Sequence, residues 1–243
     1  MRATRRAADG WTIGASRQPE IASSLRTPEG CGLRAWDATS KDAVAGGASR
    51  ERAFGEWLAR LISDVGSPPV QGFVVVGLTA AWLASPGAWI WAGIYLLVAV
   101  LLPLLHVIWL VSRGWVTDLH IRIREQRIRP LLVTIACAGL GWLVLVLAPA
   151  PDALATVAAA VWLQTVAILL ITLRWKISVH SAAAAGATAI ACVFLGTVVP
   201  LLLTVPLVAW SRVKLRRHTL AQTVVGSFLG FAIFFAAGAA IVG

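Results

Sequence analysis

The sequence predicts an all-α, polytopic membrane helix bundle of about six spans, on three observations. Hydrophobic residues make up 58% of the chain against 13% charged, with a mean hydropathy of +0.80, a balance typical of membrane-embedded chains. Apolar stretches of membrane-crossing length recur from residue 70 to the end. The cations of that region are confined to alternate connections between the stretches.

Residues 1–48 mix Gly, Ser, Arg and Asp with few apolar residues and no periodicity, so burial would return less than ordering costs. A disordered basic tail is expected there. It holds no apolar run of signal-peptide length, so it is expected to stay where it is made. Over 49–67, Ser49 suits an N-cap and Glu51 a first turn, while Phe54, Trp57, Leu58, Leu61, Ile62 and Val65 recur at helical spacing. This pattern predicts an amphipathic helix lying on a membrane surface.

Pro68-Pro69 ends that helix and opens a domain over 70–243. Apolar segments follow at 70–84, 87–112, 131–148, 153–173, 181–196 and 220–242. Most are long enough to cross a hydrocarbon core of about 30 Å at about 1.5 Å per residue, the first and fifth being short. A seventh apolar piece, 200–210, either returns the chain across part of the bilayer or packs as a half-helix. Trp89, Trp91, Trp109, Trp115, Trp175 and Trp210 fall near the segment ends, where indole rings favour the interface.

The connections set the expected topology. Those at 85–87, 149–152 and 196–197 carry no Lys or Arg, and all eleven cations of residues 69–243 lie in 113–129, 174–176 or 212–217. If 200–210 brings the chain back, the basic connections share one face, cytoplasmic by the positive-inside rule. The Ala- and Arg-rich composition suggests a bacterial cell membrane.

Several function classes are excluded or left without support. The net charge of +10 comes mostly from the membrane region, so it is no footprint for nucleic acid. Cys31, Cys137 and Cys192 have no metal or disulfide spacing and are assigned no chemistry. There is no Gly-rich phosphate loop, no zinc-type cluster and no paired acidic motif to hold magnesium. No cofactor is expected.

Three polar patches interrupt the apolar sequence. Arg122 is followed after six residues by Arg129-Pro130; next come Ser178-Val179-His180; finally Ser211-Arg212 precedes His218 by five intervening residues, with Gln222 one helical turn further on. Arginine suits a phosphate ester, because its planar fork donates two hydrogen bonds and stays charged. Arg122, Arg129 and Arg212 are the candidates, with Ser178 and Ser211 beside them and the amides of a helix starting near residue 181 as further donors. Histidine can both attack phosphorus and move a proton near neutral pH.

Together the patches resemble the type 2 phosphatidic acid phosphatase and haloperoxidase superfamily, whose motifs run K-x6-RP, PSGH and SR-x5-H-x3-D. The spacing of the first and third matches residue for residue; Arg122 stands for Lys, Ile177 and Val179 for Pro and Gly, and Gln222 for Asp. The resemblance implies a metal-independent lipid phosphate phosphatase, with His218 as nucleophile and His180 protonating the leaving alcohol. Gln222 keeps the reach to the imidazole but lacks the acid's charge, and Asp118 is a candidate substitute. The substrate is expected to be a lipid phosphate or prenyl (di)phosphate whose tail stays in hydrocarbon.

Two rival readings stand beside this one. A non-catalytic relative would bind anionic lipid headgroups or act as a scaffold. A small transporter or assembly factor would depend on His106 and Gln164, which otherwise read as a packing residue and as interhelical glue. The arginines of 122–129 also suit an ordinary cytoplasmic anchor. Arg124, Arg127, Lys214, Arg216 and Arg217 suit headgroup contacts, and His120 matches no motif position.

Overall fold

Proline and small polar residues divide the apolar sequence into helices. The computed structural model describes residues 51–115 and 128–243, which lie within the unit Arg50–Gly243. The tail expected at 1–48, together with Cys31, Asp118, His120, Arg122, Arg124 and Arg127, lies outside the described residues. Among the described residues the regular structure is all helical, with no strand. The helices are α1 (Glu51–Val65), α2 (Pro68–Leu83), α3 (Pro86–Leu96), a π-helical turn (Leu97–Leu101), α4 (Leu102–Ser112), α5 (Ile128–Leu147), α6 (Asp152–Thr172), α7 (Val179–Leu195), α8 (Val199–Lys214) and α9 (Leu220–Val242).

Proline occupies the first turn of α2, α3 and α8, where a missing N–H costs nothing. Gly196 ends α7 in the left-handed region at φ 63°, a conformation a side chain would strain. Pro103 cannot donate to the helix ladder. The preceding π turn absorbs the mismatch, with the Leu102 N–H donating to the Leu97 carbonyl.

Among the described residues four helical stretches are long and apolar enough to cross a membrane: Pro86–Ser112, Ile128–Leu147, Asp152–Thr172 and Leu220–Val242. A fifth arises only if α1 and α2, bent by 49°, count as one span. About six spans were expected; α7, with 17 residues, measures only about 25 Å, below the core thickness. The seventh piece becomes α8, a continuous helix despite the internal Pro206. It carries the chain back, so that Ser211 and Arg212 return to the end of the bundle where α7 begins.

Packing is inverted relative to a water-soluble core. Large side chains such as Leu147, Leu202 and Phe228 face outward, whereas α7, buried nearly all round, presents Ala, Gly, Ser and Thr to its neighbours α2, α8 and α9. Where lipid is as apolar as leucine, helices gain by close backbone approach. Glycines spaced four apart on α9 supply it. A Cβ at Gly226 would lie 2.6 Å from the Ser178 carbonyl oxygen, and one at Gly230 would overlap the Ala182 carbonyl. Further along, Gly186 of α7 receives the Phe234 ring. Of the tryptophans expected at the interface, Trp89, Trp109, Trp115, Trp175 and Trp210 are exposed at or near helix ends, whereas Trp91 is partly buried against the core.

Gly230→Ala is expected to push α9 off α7 and to cost about 1–3 kcal/mol. Gly77→Ala, with nothing within 4 Å of its Cβ, should be neutral or stabilising by up to about 1 kcal/mol. Thermal unfolding of both variants in detergent checks the contrast.

Candidate active site

The five-residue spacing between Arg212 and His218 is a helix-ending turn. Arg212 sits in the last turn of α8, where a cation complements the helix dipole. The Arg217 N–H donates to the Arg212 carbonyl at 3.0 Å and the Arg216 N–H to the Val213 carbonyl at 2.9 Å, the pair of bonds that defines a Schellman ending. Arg216 holds the left-handed position at φ 52°. The His218 N–H also reaches the Arg212 carbonyl at 3.4 Å. The turn therefore folds His218 back beside Arg212.

His218 is followed at once by the start of α9. Thr219 is the N-cap: its Oγ1 accepts from the Gln222 N–H at 3.3 Å, and Gln222 Oε1 accepts from the Thr219 N–H at 3.2 Å, a complete capping box. The same Oε1 lies 3.0 Å from His218 Nδ1. A backbone N–H can only donate, so the atom facing Thr219 must be the amide oxygen. An oxygen can only accept, so His218 Nδ1 carries its proton. In the neutral imidazole the lone pair is then on Nε2.

His180 enters from α7. Ser178 is that helix's N-cap, its Oγ accepting from the Ser181 N–H and lying 2.9 Å from Ser181 Oγ. The Ser178 N–H donates to the Gln222 carbonyl at 3.2 Å, which ties the start of α7 to the first turn of α9. His180 thus stands in the first turn of a buried helix, with its positive dipole end toward the site.

His180, Arg212 and His218 line one cavity of about 400 Å³. All three are more than nine-tenths buried, and Arg212 is the largest fully buried side chain among the described residues. Asp64, Ser67 and Gln71 add polar groups. The rest of the wall is largely apolar, with Ala99, Val100, Pro103, Leu104 and Val107 from the π turn and α4, Leu131 from α5, and Val161 and Ile168 from α6. Along α7 the lining runs from Val179 to Ala187, so the cavity reaches roughly 10 Å into the bundle. The charged groups gather near the start of α7, and apolar side chains make up most of the remaining wall, with Thr134, Gln164 and Thr165 among them.

Several expected residues are placed elsewhere. The Ser178 hydroxyl and N–H, expected at the phosphate, are both engaged in holding helix ends, and Ser178 is not among the residues lining the cavity. Ser211, also expected at the phosphate, is fully buried and donates its hydroxyl to the Val208 carbonyl at 2.8 Å. Arg129 is exposed and its guanidinium stacks 6.0 Å from the Trp115 ring, a cation–π contact at the surface; its neighbour Pro130, not Arg129, lines the cavity. His106 stacks on Trp109 at 5.9 Å, as a packing residue would. Gln164 lines the cavity, and its Oε1 has no hydrogen-bond partner among the described residues.

The sequence reading missed Ser63, whose Oγ accepts from Arg212 Nη1 at 2.6 Å, because nothing local links residues so far apart. It also missed Thr219, although a Thr three residues before a Gln is a readable capping signal. Among the described residues no group of three or more His, Cys, Asp or Glu is placed to hold a metal ion.

Gln222→Leu removes the cap acceptor and the imidazole partner together. It is expected to cost about 1 kcal/mol of stability and to abolish the preference for the Nδ1–H tautomer of His218, read by ¹⁵N chemical shifts of labelled histidine. No protein-family model, curated protein or solved structure matches the chain.

Proposed function

We propose that the chain is an integral-membrane phosphatase that hydrolyses a lipid phosphate or prenyl (di)phosphate through a histidine nucleophile, in the manner of the type 2 phosphatidic acid phosphatases that its motifs resemble. The observation that carries the reading is the convergence of His180, Arg212 and His218, from the ends of α7, α8 and α9, on one largely apolar cavity that also holds Asp64. A guanidinium at the wall of such a cavity favours an anion as occupant, and the apolar side chains of the remaining wall suit a hydrocarbon tail.

In this scheme Arg212 and the N-terminal end of α7 hold the phosphate. His218 Nε2 attacks phosphorus, the bond to the lipid oxygen breaks, and His180 gives that oxygen its proton. Water, giving a proton to His180, then attacks the phosphohistidine, the P–N bond breaks, and inorganic phosphate leaves with both histidines restored. Gln222 holds the Nδ1 proton throughout. Because it is neutral, it lends no charge to the imidazolium that develops.

We place the protein in a bacterial cell membrane, with α2 and α7 as two short further crossings that complete about six. α7 is sheathed by protein and need not match lipid thickness by itself. The basic connections support a site on the cytoplasmic side, next to anionic headgroups.

The test is inorganic phosphate release from prenyl phosphate, prenyl diphosphate and phosphatidic acid, in detergent with EDTA present. Release by the wild type is expected to fall in His218→Ala by on the order of 10⁴-fold or more. Silence of the wild type on all three, with lipid binding retained, would replace this reading by the non-catalytic one. Gln222→Glu keeps the side-chain length and supplies the missing charge; it is expected to raise the rate by about tenfold or more.

A further inference from the structure

The helix α1 belongs to none of the three motifs, yet it touches the site at its most buried charge. Its Ser63 is 1% exposed and accepts a 2.6 Å hydrogen bond from Arg212 Nη1, itself on a residue 1% exposed. A contact of that length to a charged donor is among the stronger hydrogen bonds in proteins. Asp64 and Ser67, at the end of the same helix, line the cavity mouth beside Arg212.

Small residues let α1 come this close. A Cβ at Gly66 would lie 2.8 Å from a Val208 methyl, and one at Gly55 would meet the Lys214 side chain at 3.8 Å. Ala59 and Ser63 are buried between them. Gly55, Ala59, Ser63 and Gly66 fall at helical spacing, so a single face of α1 lies along the C-terminal half of α8 that carries Arg212.

The opposite face is apolar and open. Phe54, Trp57, Leu61 and Val65 are all exposed, at 47–62%, and Phe54 stacks on Trp57 at 5.8 Å. Beside them runs a charged stripe that includes the exposed Arg60–Glu56 pair at 3.2 Å. The apolar row continues past the 49° bend into Val70, Phe73 and Val74 of α2, and so into the outward surface of the bundle. An apolar row, a flanking charged row and continuity with that surface fit a lipid–water interface.

We propose that α1 is a working part of the anion site: Ser63 is a positioning residue that holds the Arg212 guanidinium at the cavity mouth, and insertion of the outer face of α1 into the lipid interface keeps Ser63 in place. The proposal deepens the phosphatase reading and rests on it for the identity of the anion. Lipid engagement and phosphate binding then become linked, because a helix lifted from the membrane withdraws a hydrogen-bond partner of Arg212.

The test uses the full chain in phospholipid nanodiscs, with two readouts: orthovanadate affinity, and the rate at which phenylglyoxal modifies Arg212, followed by mass spectrometry. Ser63→Ala is expected to weaken orthovanadate binding by about tenfold and to speed modification of Arg212 severalfold. Ser63→Thr, which restores the hydroxyl, should return both toward wild type, as loss of packing alone would not. Trp57→Glu/Leu61→Glu, which alters only the outer face, should reproduce both changes in bilayers. Equal modification rates in wild type and Ser63→Ala would overturn the positioning role, and a double variant indistinguishable from wild type would overturn the lipid link. Faster modification of Arg212 in Ser63→Ala, in a wild type that ignores orthovanadate, would uphold the positioning role and remove the phosphatase reading instead.

Discussion

The close approach of α7 and α9 is the constraint on which the rest depends. Without side chains at positions 226 and 230, the α9 backbone comes within contact of the Ser178 and Ala182 carbonyls. That proximity lets the Gln222 carbonyl accept from the Ser178 N–H, so the N-terminal ends of two helices are sewn together. His180 rides on one end and His218 just precedes the other. A bundle built with larger residues at this seam would separate the two imidazoles by the thickness of a side-chain layer.

Polar groups are scarce here and most serve two purposes. The Arg212 carbonyl ends α8 and orients His218, while its guanidinium faces the cavity and bonds Ser63. Ser178 caps α7 and also bonds α9. In hydrocarbon an unsatisfied backbone group costs several kcal/mol, so helix ends that meet inside a bundle recruit nearby side chains. The same demand produces a concentration of oriented donors at one end of the molecule. Arg216, left-handed without being glycine, shows that this turn is held by its surroundings, since the conformation alone costs about 1–2 kcal/mol.

Much of this was legible in the sequence. The apolar segments and the break at Pro68-Pro69 follow from local signals; the start of α7 was expected near residue 181, close to its observed N-cap at Ser178, and the return of 200–210 was one of two alternatives left open. The number of spans was less legible, because hydropathy cannot distinguish a short helix sheathed by protein from one facing lipid. The serines at 178 and 211 were read by residue type, and their hydroxyls proved to be committed to nearby backbone or to Ser181. The Ser63–Arg212 bond spans 149 residues, and no periodicity or motif encodes such a pairing. The spacing of Gly226 and Gly230 went unread, because a pair of glycines takes on meaning only once its partner helix is known.

Gln222 gives this site a built-in proofreading property. One oxygen closes the first turn of α9 and also dictates which ring nitrogen of His218 holds its proton. A molecule whose α9 start is frayed is therefore also one whose imidazole is free to adopt the unproductive tautomer. In the phosphatase proposed above, formation of this helix start and arming of the nucleophile would be a single event, so a half-folded copy would carry a histidine unable to attack phosphate.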